Sequence, residues 1–177
     1  MRIIAGTGKG RTLKTPGWAG LRPTSDRLRE TLFNILAPRV RDARVLDAFA
    51  GTGAVALEAL SRGAASAVCL EQDRRAQALI AENRGRLGAD GRCMILRDDA
   101  RRALRAPIAG GPFDIVFLDP PYDVEDLEAL VASAASQRAE GGVLVLEHAS
   151  RRGPPVLEGR PPNRSVKAGD STLSFYL

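Results

Sequence analysis

Histidine is nearly absent from this chain of 177 residues: His148 is the only one. Cysteine occurs twice, at Cys69 and Cys93, with no CxxC spacing and no histidine cluster nearby. Little is left from which to build a zinc site, and no metal is expected. Both cysteines fall in apolar, strand-like runs, where they read as small buried hydrophobes rather than redox groups. Lysine is scarce too, confined to Lys9, Lys14 and Lys167, so arginine carries most of the basic charge. No apolar run reaches the roughly 18 residues that a membrane span needs. Met1-Arg2-Ile3-Ile4 leads at once into glycine and lysine, unlike a secretory signal. The expectation is a cytoplasmic protein with no membrane partner.

What is present is a soluble globular composition, 44% hydrophobic and 27% charged, with only 5% aromatic residues. The length suits one domain spanning residues 1–177, and a monomer is the working expectation. The net charge of +5 favours a polyanionic partner. Part of that charge crowds into the N-terminal arm, where Arg2, Lys9, Arg11 and Lys14 flank Gly6-Thr7-Gly8-Lys9-Gly10. The arm reads as a β-hairpin around that glycine turn. Thr24, Ser25 or Asp26 then caps a helix running to about Leu36, so residues 1–36 form an arm and helix ahead of a core at 44–177.

From Arg44 onward, short apolar strands alternate with helices. Strands are predicted at Val45–Asp47, Ala67–Leu70, Cys93–Leu96, Phe113–Leu118 and Val143–Leu146. Helices are predicted at 54–61, 73–87, near 100–104 and from Glu125 to about Arg138. The strands do not alternate polar with apolar, which implies an α/β fold with a mostly parallel sheet covered on both faces. Pro154-Pro155 and Pro161-Pro162 mark loops, and 165–177 reads as an antiparallel hairpin closing the sheet.

The most informative motif is Asp119-Pro120-Pro121-Tyr122, directly after the strand Phe113–Leu118. Proline holds φ near −65° and restricts the residue before it, so the turn is stiff. It gathers a carboxylate, a fixed carbonyl and an aromatic face. Such a set can accept hydrogen bonds from a planar amino group and stack on the ring bearing it. Asp47-Ala48-Phe49-Ala50-Gly51-Thr52-Gly53 lies between the first strand and the next helix, where glycine lets the backbone approach a ligand. Glu71 ends the second strand, placed to accept from both hydroxyls of a ribose. By themselves, these two features fit NAD and S-adenosylmethionine alike. The Asp-Pro-Pro-Tyr turn favours the latter, because a hydride-transfer enzyme has no use for it. Asp98-Asp99 ends the third strand, and either serves the adenine amine or caps the short helix behind it.

The chain resembles the bacterial 16S rRNA (guanine(966)-N2)-methyltransferases. The resemblance is carried by Arg2–Gly6, by the run from Leu21-Arg22-Pro23-Thr24-Ser25 to Leu32-Phe33-Asn34, by Leu46–Gly53, by Leu57–Arg62 and by Asp119–Tyr122. It covers nearly the whole length and implies the class I methyltransferase (Rossmann-like) fold, with S-adenosylmethionine as donor. Position by position, it implies cofactor roles for Thr24, Asp47, Phe49, Gly51, Gly53, Glu71 and Asp99. It implies catalytic roles at the target amine for Asp119, Pro120, Pro121 and Tyr122. The implied partner is small-subunit ribosomal RNA or the assembling small subunit, with the basic arm, Arg22, Arg27 and Arg29 holding phosphates.

Rival readings are a DNA adenine-N6 or protein glutamine methyltransferase, an NAD oxidoreductase, and a silent RNA-binding module. The chain has no separate target-recognition insert, has Asp rather than Asn at position 119, offers no evident hydride-transfer site, and keeps its Asp-Pro-Pro-Tyr turn intact. Each of these facts weighs against one rival. His148 reads as structural, and Trp18 either packs on the arm or stacks on a base.

Overall fold

Apolar residues along the central strands segregate by parity, and this parity builds the layers. The computed structural model describes residues 1–18 and 24–177. The strands are β1 (Arg44–Ala48), β2 (Ser66–Leu70), β3 (Cys93–Leu96), β4 (Phe113–Leu118), β5 (Arg138–Ala149), β6 (Arg164–Ala168) and β7 (Ser171–Tyr176). The helices are α1 (Asp26–Val40), α2 (Ala54–Ser61), α3 (Arg74–Leu87), α4 (Ala100–Ala103) and α5 (Leu127–Ala135). Val45, Ala67, Ile115, Phe117, Val143 and Val145 face one core, where they meet buried residues of α1, α2 and α3. Their chain neighbours Leu46, Val68, Val116, Leu118, Leu144 and Leu146 face the other, against α4 and α5. A strand buried on both sides has no reason to alternate polar with apolar. None of the described helices is long and apolar enough to cross a membrane.

The sheet order is β3-β2-β1-β4-β5-β7-β6. β1 to β5 run parallel, while β7 pairs antiparallel with both β5 and β6. The chain therefore leaves β1 in one direction for β2 and β3, then restarts on its other side with β4. This reversal opens a crevice beyond the carboxyl ends of β1 and β4, the place where open α/β sheets bind ligands.

Several elements differ from the sequence expectation. α1 runs on to Val40, carrying Pro38 in its last turn, where one forgone ladder bond is least disruptive. Its cap is Ser25, whose Oγ accepts from the Leu28 N–H at 3.2 Å. α5 starts later and stops earlier than predicted, because Asp126 takes a left-handed conformation as its cap and Arg138 already belongs to β5. The arm does pair antiparallel across its glycine turn, through the Arg2–Thr12 bridge and the bonds of Ile3 N–H to Arg11, Gly10 N–H to Ile3 and Leu13 N–H to Met1.

That arm is fastened by buried polar groups of the core. Glu58, on α2, accepts from the backbone N–H of Ile4 at 2.8 Å and of Ala5 at 3.0 Å, and pairs with Arg62 at 2.7 Å. Asn83, on α3, takes both backbone groups of Lys14 and also donates to the Thr52 carbonyl. At Gly6 the backbone has φ +82°, and a Cβ there would lie 1.8 Å from the Ser61 carbonyl oxygen. The arm can lie this close to α2 only because that residue is glycine.

Several of the expected phosphate contacts are committed elsewhere. Arg29 is fully buried, donating to the Arg2 carbonyl at 2.7 Å and to Asp26 at 2.9 Å, so it cannot reach a phosphate. Its position four residues after Ser25 turns it inward with Leu28 and Leu32, which a reading of charge alone does not register. Lys14 pairs with Glu82 at 2.7 Å, and Arg11 donates to the Arg86 carbonyl at 2.9 Å. Arg2, Lys9 and Arg27 are exposed, while Arg22 lies outside the described residues.

Candidate functional site

At the carboxyl edge of the sheet lies a cavity of about 710 Å³, within the ordinary range for small-molecule sites. Its walls come from the start of α1, the turns after β1, β2 and β4, the end of β5 and the β6–β7 turn. A parallel sheet brings the residue after each strand to one rim, so sequence-distant carboxylates converge there. Asp47 is the penultimate residue of β1, Glu71 follows β2, Asp119 follows β4, and Glu147 lies near the end of β5.

Asp47 is only 1% exposed and accepts from the Ala56 N–H in the first turn of α2 at 3.1 Å. Burial pushes its carboxyl up to about 7; the Ala56 N–H opposes that shift and the nearby Glu71 charge adds to it. Phe49 lines the cavity with φ 82°, a left-handed conformation that costs a non-glycine residue about 1–3 kcal/mol. Phe49 and Ala50 both donate their N–H groups to the Leu70 carbonyl, tying the glycine turn to the end of β2. Gly53 turns the chain into α2 at φ 73°, where a Cβ would come within 3.0 Å of Ile80. Glu71 Oε2 accepts from the Gly51 N–H at 2.9 Å, and Oε1 from the Asp73 N–H at 2.8 Å. The two backbone donors orient its carboxylate. A carboxylate has about four acceptor positions, so these bonds leave capacity for further donors.

Across the cavity stands the Asp-Pro-Pro-Tyr turn. Asp119 keeps part of its surface open to the cavity, and the Thr24 hydroxyl reaches it at 3.5 Å. Desolvation raises its carboxyl well above the usual carboxylate range, and the negative charges of Glu147 and Asp47 push the same way. The Tyr122 hydroxyl lies 2.7 Å from Ser171 Oγ, and Ser171 donates to Glu147 Oε1 at 2.9 Å. Because the single Ser171 proton is used on Glu147, the tyrosine is the donor in the first of these bonds.

The structure thus brings ten of the eleven sequence-derived positions to this region: Thr24, Phe49, Gly51, Glu71, Asp119, Pro120, Pro121 and Tyr122 line the cavity, Asp47 lines a small pocket that shares Thr24, Phe49, Gly51 and Asp119 with it, and Gly53 shapes the turn. Asp99 stands apart. It caps α4 through the Arg102 N–H at 3.0 Å and is not among the described lining residues. His148 turns away to pin β5 to β7: its Nε2 lies 2.9 Å from Ser174 Oγ and its Nδ1 3.1 Å from the Ala149 carbonyl. Since a carbonyl only accepts, Nδ1 carries the proton. Trp18 packs under the Arg75 guanidinium, 5.1 Å from its ring centre. Sequence reasoning gave no role in the cavity to Arg27, Glu147 and Ser171, all of which line it. A usable signal existed for Glu147, which follows the apolar run of β5 as Asp119 follows β4.

The family model described as "Conserved hypothetical protein 95" matches residues 1–177. "Ribosomal RNA small subunit methyltransferase D" of Escherichia coli (strain K12) is 48% identical over 122 residues, covering 69% of this chain. That alignment spans only 60% of the relative's own length. Among solved structures, the putative methyltransferase yhhF of Escherichia coli is 38% identical, with TM-score 0.86 over 99% of this chain and 96% of that one. The hypothetical protein TTHA0928 of Thermus thermophilus is 34% identical, with TM-score 0.84 over 99% and 98% of the two chains.

Proposed function

This chain belongs to the Conserved hypothetical protein 95 family, and from that premise we propose that it transfers a methyl group from S-adenosylmethionine to the exocyclic N2 of a guanine in small-subunit ribosomal RNA. The observation that carries the reading is the placement of Asp119-Pro120-Pro121-Tyr122 beside the topological reversal, on the same cavity as Glu71 and the glycine turn. The similarity to a ribosomal RNA small subunit methyltransferase supports the substrate class.

The residues fit the proposed cofactor. The cavity concentrates carboxylates in a protein of net charge +5, a polarity suited to a cationic ligand. Glu71 has acceptor capacity for a ribose diol, and Phe49 offers an aromatic wall. Bound there, S-adenosylmethionine supplies an electrophilic methyl group on a sulfonium. The chain's own residues do the rest. Asp119 and the Pro120 carbonyl accept hydrogen bonds from the two amine N–H groups, drawing the nitrogen lone pair out of conjugation and aiming it, and the proton that the nitrogen sheds on methylation leaves along the bond to the Asp119 carboxylate. Tyr122 stacks on the base. Orientation and preorganised electrostatics are the levers. The amine of a paired guanine is occupied, so the base must lie in a loop or be extruded.

The test is to incubate the protein with labelled S-adenosylmethionine and unmodified small-subunit RNA or particles, then analyse the nucleosides. N2-methylguanosine is the expected product. Methyl label on adenine, or on protein alone, refutes the reading. For the cofactor half, Glu71→Gln is expected to weaken S-adenosylmethionine binding about 10- to 100-fold in a folded protein, the loss of charge-assisted bonds worth about 1.5–3 kcal/mol. Calorimetry showing parent affinity would remove Glu71 from the site.

The RNA half turns on exposed cations. Arg27 lines the cavity mouth, and Lys9 is exposed on the arm. If each holds one single-strand phosphate, the paired change Lys9→Ala and Arg27→Ala should flatten the log–log salt slope by about 0.7 for each phosphate released. The same change at Arg11 and Lys14 should do less, since both are engaged within the protein. Filter binding over a salt series distinguishes the two pairs, and equal effects would contradict the assignment.

A further inference from the structure

We propose that Glu147 is the specificity-determining residue that reads the N1–H of the target guanine, alongside Asp119 at its amine. The inference rests on the guanine-N2 reading above and deepens it. β4 and β5 are parallel neighbours with Leu118 opposite Leu146, so the next residues, Asp119 and Glu147, stand side by side at the rim. Both line the cavity, and the negative charge of Glu147 helps to push the Asp119 carboxyl up. Glu147 is 5% exposed and cannot swing freely, because Ser171 holds Oε1 at 2.9 Å and Tyr122 in turn holds Ser171 at 2.7 Å. The ring expected to stack on the base and the carboxylate expected to read its edge are thus locked together by one hydroxyl.

The chemistry of the base edges makes this arrangement selective. Two adjacent carboxylates repel each other unless a shared proton or hydrogen-bond donors lie between them. Guanine presents adjacent donors, N1–H and the N2 amine. Adenine presents an acceptor at N1 beside its N6 amine, and cytosine an acceptor at N3 beside its N4 amine. Either would set a lone pair against Glu147. A site built around a buried polar group rejects the analogue that leaves the group unmatched far better than an apolar pocket rejects an extra methylene. Asp119 and the Pro120 carbonyl act on any planar amine; Glu147 is what distinguishes guanine from the others.

The experiment compares guanine with 2-aminopurine at the mapped acceptor position in small-subunit RNA. 2-Aminopurine keeps the N2 amine and replaces N1–H with a lone pair. The parent enzyme should prefer guanine by about 30-fold or more in kcat/KM, the scale of one charge-assisted hydrogen bond. Glu147→Gln can turn an N–H toward that lone pair, so the preference should fall at least about tenfold, with 2-aminopurine methylated faster than by the parent. S-adenosylmethionine affinity, read by calorimetry, should stay within about twofold. A folded Glu147→Gln enzyme that still makes N2-methylguanosine and keeps the parent preference overturns the role of Glu147 while leaving the functional reading intact. A parent that makes no N2-methylguanosine overturns both. Should Glu147→Gln fail to fold, Ser171→Ala keeps the carboxylate and releases its tether; the preference should then fall about fivefold, and an unchanged preference overturns the assignment.

Discussion

Asp119→Ala is expected to lower the single-turnover rate of methyl transfer about 10²- to 10³-fold, the usual cost of removing one preorganised group from a reacting centre. S-adenosylmethionine affinity should stay within about threefold of the parent, because the carboxylate acts on the amine and Glu71 lies on the opposite wall of the cavity. Stability should hold or rise. Asp119 is a desolvated carboxyl crowded by Glu147 and Asp47, so deleting it relieves like-charge repulsion. Tyr122→Phe should keep most of the rate, since the ring remains when the hydroxyl bond to Ser171 is removed. Tyr122→Ala should lose more, as stacking of a base on an aromatic ring is worth about 1–3 kcal/mol. The expected order of rates is parent, Tyr122→Phe, Tyr122→Ala, Asp119→Ala. Near-parent turnover in Asp119→Ala would reduce the turn to a rigid strand end.

Glu58→Ala is expected to cost about 3–5 kcal/mol of stability, the range for breaking a buried ion pair from one side. Glu58 is fully buried, and its loss strands the Ile4 and Ala5 N–H groups together with the Arg62 guanidinium. Glu58→Gln retains one acceptor oxygen and should fall between. Urea denaturation reads the difference. The effect should reach the cofactor side as well: the arm is joined through Asn83 to the Thr52 carbonyl in the glycine turn, so a loosened arm should weaken S-adenosylmethionine binding. A loss below about 1 kcal/mol would mean that Asn83 and the buried Ile3 and Leu13 hold the arm without Glu58.

Local pattern was enough for the core elements. Ala54–Ser61, Cys93–Leu96 and Phe113–Leu118 have the bounds their periodicity and flanking breakers suggest, because a strand buried on both faces and a helix closed by glycine leave direct marks on the chain. The Asp-Pro-Pro-Tyr turn and the glycine turn were legible for the same reason, since proline and glycine restrict or free the backbone wherever they stand. Strand ends were less legible: β5 begins five residues before its apolar run, where sheet pairing with β4 extends it.

Only the tertiary structure decided what each charge does. Arg29 and Glu58 look like surface residues in the sequence, yet both are buried to hold the arm on the core. Arg11 and Lys14 look like a phosphate clamp, yet both are bonded to α3. Glu71 and Asp119 directly follow their strands, whereas Asp99 lies three residues beyond β3 and caps α4 through the Arg102 N–H. Glu147 carried no motif at all, and became part of the site because Leu118 pairs with Leu146 across adjacent parallel strands. A motif is a constraint on neighbouring backbone, so it survives in the linear sequence. Burial, ion pairing and convergence at a sheet edge are relations between distant residues, and these come into being only when strand order and register are set.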